Sequence, residues 1–159
     1  MKCKTRAEAI ARYGHIDLAS AYWPDKNKWI KMFDVPAGWF PGWRVLDTQH
    51  PVTHIACNLD VHQPLLKALT AVHDRKLGHL LRTFDGCFNI RKVRGSTAMS
   101  THAYGLGFDF NASINPLGSL SGDFGKHPEF VACFKEQDFD WGGDWSGRKD
   151  FMHFSFAWE

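Results

Sequence analysis

A chain of 159 residues that is 44% hydrophobic and 14% aromatic can bury a substantial core, and its length fits a single domain, residues 1–159, better than two. Nineteen Lys and Arg against seventeen Asp and Glu leave a formal charge of +2, without the basic stripe of a nucleic-acid binder, so nucleic acid is excluded as a partner. No window is long and apolar enough for stable membrane insertion, and the amino-terminal MKCKTRAEAIARYGH is charged where a signal peptide is apolar. These features predict a soluble monomer made in the cytoplasm.

In chain order, Cys3 is the first of four scattered cysteines, with Cys57, Cys87 and Cys133; none forms a C-x-x-C pair, so reduced, buried thiols are expected. Thr5 and Glu8 have capping-box spacing and Gly14 supplies a stop, which predicts a helix over 6–13. From Tyr22 to Trp43 the chain is rich in Trp, Pro and Gly, suggesting an irregular or partly helical segment whose rings mostly pack in the core. His50 and His54 have four-residue spacing, but Pro51 and the missing glutamate argue against a metal pair there. Pro64 opens a helix with Leu65, Leu66, Leu69 and Val72 inward, ending before Gly78. Residues Cys87 to Arg94 and Gly105 to Asn111 read as strands. Pro128 opens a further helix with Phe130, Cys133 and Phe134 buried. From Phe151 to Trp158, Met152, Phe154, Phe156 and Trp158 alternate with His153, Ser155 and Ala157, a strand with one core face and one working face. Helices in front and strands behind predict an α+β fold with a small antiparallel sheet.

Two segments carry chemistry: Ser100-Thr101-His102-Ala103-Tyr104-Gly105-Leu106-Gly107-Phe108-Asp109, and Asp150-Phe151-Met152-His153-Phe154. Strand alternation buries Phe108 and Phe110 and sends Asp109 to the other face with Gly107. Gly105 and Gly107 remove bulk and leave room for His102. Two imidazoles and one carboxylate suit zinc with a fourth position left open, the mark of a catalytic site. Asp150, three residues before His153, reaches the same place if the backbone turns between them, and could then act as general base. Singly, each of these histidines reads better as an ordinary polar residue on a solvated strand face; as a set they reverse that preference in favour of a metal. Ser100 reads as a hydrogen-bonding support. His15, His62, His73, His79 and His127 read as surface or satisfied core residues, and Asp123, Asp138, Asp140 and Asp144 as turn formers. Trp141 and Trp145 are expected to pack beneath the last strand.

The first segment resembles the S-x-H-x-x-G-x-A-x-D signature of the D-alanyl-D-alanine carboxypeptidase and L-alanyl-D-glutamate endopeptidase zinc metallopeptidases, and the second resembles their D/E-x-x-H partner. The resemblance spans about 52–154, including Gly86-Cys87-Phe88-Asn89-Ile90-Arg91 and Trp141-Gly142-Gly143-Asp144-Trp145, and is nearest in look to single-domain phage endolysins. Residues 1–51 are expected to be an extension packed on the same domain. The resemblance implies a Hedgehog/DD-peptidase-like fold, with His102, Asp109 and His153 as ligands of zinc and Asp150 as catalytic base. Arg91 best matches an arginine that stabilises the carbonyl oxygen as it becomes negative. Gly107 stands where the family usually has alanine, a small-for-small change. The implied substrate is the stem peptide of peptidoglycan, cut by an endopeptidase or a D-alanine carboxypeptidase. The phage kinship implies a separate pore-forming lysis protein as partner. The alternatives are a non-catalytic zinc module that binds wall or protein, against which Asp150 speaks, and a structural virion protein with a vestigial site.

Overall fold

The computed structural model describes residues 1–20 and 28–158. Helix α1, Arg6–Tyr13, forms where capping chemistry predicts: Thr5 Oγ1 accepts from the Glu8 amide at 3.1 Å, and Glu8 reaches back to the Lys4 amide at 2.7 Å. Strands β1 (Ile30–Asp34), β2 (Arg44–Val45) and β3 (His54–Asn58) follow. Then come α2 (His62–Asp74), β4 (Thr83–Gly86), β5 (Gly107–Phe110), α3 (Pro128–Lys135), β6 (Asp140–Trp141) and β7 (His153–Ser155). Strands β1 and β3 pair antiparallel as a separate ribbon. The other five form a sheet in the order β2-β4-β5-β7-β6.

The fold is α+β, with helices packed on sheets. The expected all-antiparallel arrangement differs at one edge, because the short β2 pairs parallel to β4. The stretch expected to be irregular or helical contains β1, whose Ile30 and Phe33 are buried against β3; Tyr22, Trp23 and Pro24 of that stretch lie outside the described residues. Helix α2 begins two residues before Pro64 and ends ahead of Lys76, which adopts a φ of 61°, so the chain turns before Gly78.

The core centres on the inward faces of β5 and β7. Phe110 and Phe154 meet Phe134 of α3, Phe154 also meets Phe130 and Phe124, and Phe108 packs on Phe110 and Phe139. Trp43 closes the other side against Phe84 and Phe110. Apart from the partly buried Phe84, each of these rings is fully buried, a contribution of about 2–3 kcal/mol apiece, and together they hold β5 and β7 in place. All four cysteines are free and buried. No helix among the described residues is long and apolar enough to cross a membrane.

One expected strand does not form and another is shorter than its pattern. Over Cys87 to Arg94 the backbone groups bond to the segment bearing His102: Asn89 N–H donates to the His102 carbonyl at 3.1 Å, and Arg91 C=O accepts from Ser100 at 2.9 Å. These bonds amount to one isolated antiparallel bridge, Lys92 to Met99, and the regular pairing sits upstream in β4. The last strand narrows to β7, although Phe110 N–H to Met152 O and Phe156 N–H to Leu106 O extend its bonding at both ends. Its second face is not solvated either. His153, Ser155 and Ala157 are all buried, and the side chains of Thr101 and His102 lie over Gly107 beside them.

Candidate metal centre

Three segments converge on one point. His102 lies on a 3₁₀ turn, Thr101–Tyr104, capped by Ser100 Oγ, which accepts from the His102 amide at 3.3 Å. The turn closes at Gly105 in the left-handed conformation, φ 63°, where Ile30 and the Cys57–Asn58 backbone leave no space for a Cβ. Gly105 therefore seats the turn on the β1–β3 ribbon; Gly107 is the glycine that makes room beside the imidazoles. Asp109 of β5 and His153 of β7 are directly opposed in the antiparallel ladder, the geometry that brings cross-strand side chains into contact.

The His102 ring has a fixed orientation. Its Nδ1 lies 2.8 Å from the Cys87 carbonyl, and since a carbonyl only accepts, Nδ1 carries the proton. In the neutral ring Nε2 then presents a lone pair to the centre. That atom lies 3.2 Å from His153 Nδ1 and 3.2 Å from Asp109 Oδ2, while His153 Nδ1 is 2.9 Å from Asp109 Oδ1. Ligand atoms around a tetrahedral zinc with bonds of roughly 2.0–2.1 Å are about 3.3 Å apart. The donor set fits that cation in type and in spacing. Among the described residues this is the one cluster of three such ligands, with its atoms all within 4.8 Å of one another.

Burial supports the same reading. The two imidazoles are only 2% and 5% exposed, and gathering two imidazoles and a carboxylate in so dry a site is costly unless opposite charge compensates it. Burial by itself raises the Asp109 carboxyl, but when the imidazoles are protonated the charge and hydrogen bond of His102, with those of His153, outweigh it and hold the group far below the usual carboxylate range. Asp109 is thus an anion. Cys87 offers its carbonyl and not a thiolate, because burial, with Cys57 and Asp109 nearby, pushes its thiol well above the ordinary value. Hydrogen-bonding of a ligand imidazole to a carbonyl is the usual way a metal-binding tautomer is held.

Arg91 approaches from the loop after β4, its Nη2 3.8 Å from Asp109 Oδ2 and its side chain 41% exposed. Arg82 and Arg94 are exposed. Asp150 sits at a turn in which its carbonyl accepts the His153 amide at 3.1 Å, so the backbone does bend between the two residues. Asp85 lies on β4, its carboxyl raised chiefly by burial and further by Asp109, against hydrogen bonds from the Ala112 amide and Thr83. His50 and His54 are exposed and apart from the centre. His62 departs from the expected satisfied state, since its Nε2 is buried with no hydrogen-bond partner.

Gly107 is tightly packed beneath the two imidazoles. A Cβ there would come within 2.7 Å of Thr101 Oγ1, 2.9 Å of His153 Cε1 and 3.1 Å of His102 Cδ2. Both ligand rings rest against this glycine, so an alanine would push on them. The Cys87 carbonyl was equally invisible beforehand: a backbone acceptor leaves no residue-type signal.

A family model described as D-alanyl-D-alanine carboxypeptidase matches residues 94–156. Those residues are similar to this peptidase family. The matched segment contains His102, Asp109, Asp150 and His153; Arg91 lies just before it. The chain is also similar to an L-alanyl-D-glutamate peptidase of Listeria phage A118, 35% identical over 74 residues, which is 45% of this chain and 26% of the relative. The likeness therefore spans about a quarter of that relative's length.

Proposed function

We propose that this protein is a zinc-dependent peptidoglycan peptidase of the L-alanyl-D-glutamate endopeptidase type, acting on the cell wall as a phage endolysin. The observation that carries the reading is the set of donor separations of 2.9–3.2 Å among His102, Asp109 and His153. These three would hold the ion. Zinc bound there supplies Lewis acidity, polarising a scissile carbonyl and making water a better nucleophile near neutral pH.

The remaining work falls to the chain. Asp150 takes a proton from the attacking water, whose oxygen bonds to the carbonyl carbon, and then delivers that proton to the departing amine nitrogen as the C–N bond breaks. Arg91 faces the negative charge that grows on the carbonyl oxygen. The Cys87 carbonyl and the neighbouring β5–β7 ladder keep the ligands aligned through the cycle.

The endopeptidase assignment draws on the printed activity of the phage relative, and a carboxypeptidase is the competing reading because the family's description names one. Digestion of purified peptidoglycan with and without a chelator separates them. The expected product is a new D-glutamyl amino terminus that disappears on chelation. Free D-alanine in its place would make the enzyme a carboxypeptidase, and undiminished cleavage in chelator would refute zinc dependence.

A further inference from the structure

The reaction above makes no use of Trp141-Gly142-Gly143-Asp144-Trp145, yet this stretch grips the segment bearing Asp150 at three consecutive residues. Lys149 Nζ donates to the Gly143 carbonyl at 2.9 Å. The Asp150 amide donates to the Gly142 carbonyl at 3.1 Å. Trp141 Nε1–H donates to the Phe151 carbonyl at 2.9 Å. Just beyond, Trp141 pairs with Phe154 in the sheet, and the Asp150 carbonyl accepts from His153.

Packing enforces the grip. Gly142 is buried, and a Cβ there would lie 2.3 Å from the Asp150 carbonyl oxygen and 3.0 Å from the Asp150 Cβ. Backbone cannot rotate out of the way as a side-chain tip can. A Cβ on Gly143 would lie 2.3 Å from two carbons of the Trp141 ring, which covers it. The Gly142 carbonyl also accepts from the Trp145 amide at 3.4 Å, and the Trp145 ring stands 5.6 Å from that of His153. The two glycines thus permit contacts that any larger residue would break.

We propose that Trp141–Trp145 is a cradle that positions Asp150 for proton transfer, with the Trp141 indole N–H as its far clasp. The proposal rests on Asp150 being the base. Residues 147–152 have no helix or strand of their own, and a base must stand within about 2.6–3.2 Å of the proton it takes. A displacement of about 1 Å can cost on the order of a hundredfold in rate. The cradle supplies the order that secondary structure does not, and Trp141 is a positioning residue that touches neither metal nor substrate.

The test uses Trp141→Phe, which keeps a ring over Gly143 and deletes the donor to Phe151. Hydrolysis of a defined muropeptide should show kcat down about tenfold, KM within about twofold and one zinc per chain retained, a fraction of the loss expected for full misplacement. In an Asp150→Glu background, where the base is already displaced, the same substitution should slow kcat by less than about twofold, since coupled residues are not additive. An unchanged kcat in Trp141→Phe, equal fold-losses in both backgrounds, or loss of zinc would each overturn the cradle. Full activity of Asp150→Ala would instead overturn the base itself, a separate result.

Discussion

At the residue scale the centre depends on one hydrogen atom at position 107. Because both imidazoles lie against that α-carbon, Gly107→Ala should spread the ligands while the core behind them stays intact. Zinc affinity, measured by competition with a chromogenic chelator, is expected to fall about tenfold, the lower end of what disturbed ligand support costs; an unchanged affinity would show that the rings adjust freely. Asp150→Ala makes the complementary case. It should abolish hydrolysis with zinc still bound, and a fully active variant would rule out the proposed base. His102, Asp109 and His153 were legible as a pattern in the sequence because their side chains are what the cluster is made of. The Cys87 carbonyl was not, since any residue offers the same oxygen.

At the element scale, legibility followed how local the deciding forces are. Helix α1 formed where Thr5, Glu8 and Gly14 marked it, and α3 where Pro128 opened it, because caps and turns act within a few residues. The strand expected over Cys87 to Arg94 is reduced to one antiparallel bridge, Lys92 to Met99, because its backbone pairs only with the adjoining residues 98–102 and not with the main sheet. Burial of His153 and Ser155 on what read as the working face has the same origin: a period of two identifies two faces but not what covers each one.

Helix α1 is tied to the body through Tyr13, whose hydroxyl donates to Asp60 Oδ2 at 2.7 Å beside the Arg12–Asp60 pair. Its ring packs near Trp29 and Tyr104, the latter on the turn that carries His102. Burial, then the hydrogen bond and charge of Asp60, raise the phenol above its ordinary value of 10.0. The folded state therefore keeps a proton that the unfolded chain releases near pH 10, so this contribution is complete below that pH and is lost as pH rises beyond it. Thermal melts of Tyr13→Phe against the parent should show a shallower alkaline decline; parallel curves would remove Tyr13 from the account.

For the whole molecule, the division of labour is between a phenylalanine-rich core that holds β5 and β7 in register and a small polar centre on their other side. The ladder sets Asp109 opposite His153, and the capped turn before β5 brings His102 to both. A metal would then be bound by a site largely formed in advance, which limits the ordering cost of binding it. The most direct test is the zinc content of purified protein by elemental analysis, with His102→Ala and Asp109→Ala alongside. The account predicts one zinc per chain in the parent and far less than one in either variant, with both variants still folded by circular dichroism. No stoichiometric zinc in the parent, or full retention in the variants, would contradict it.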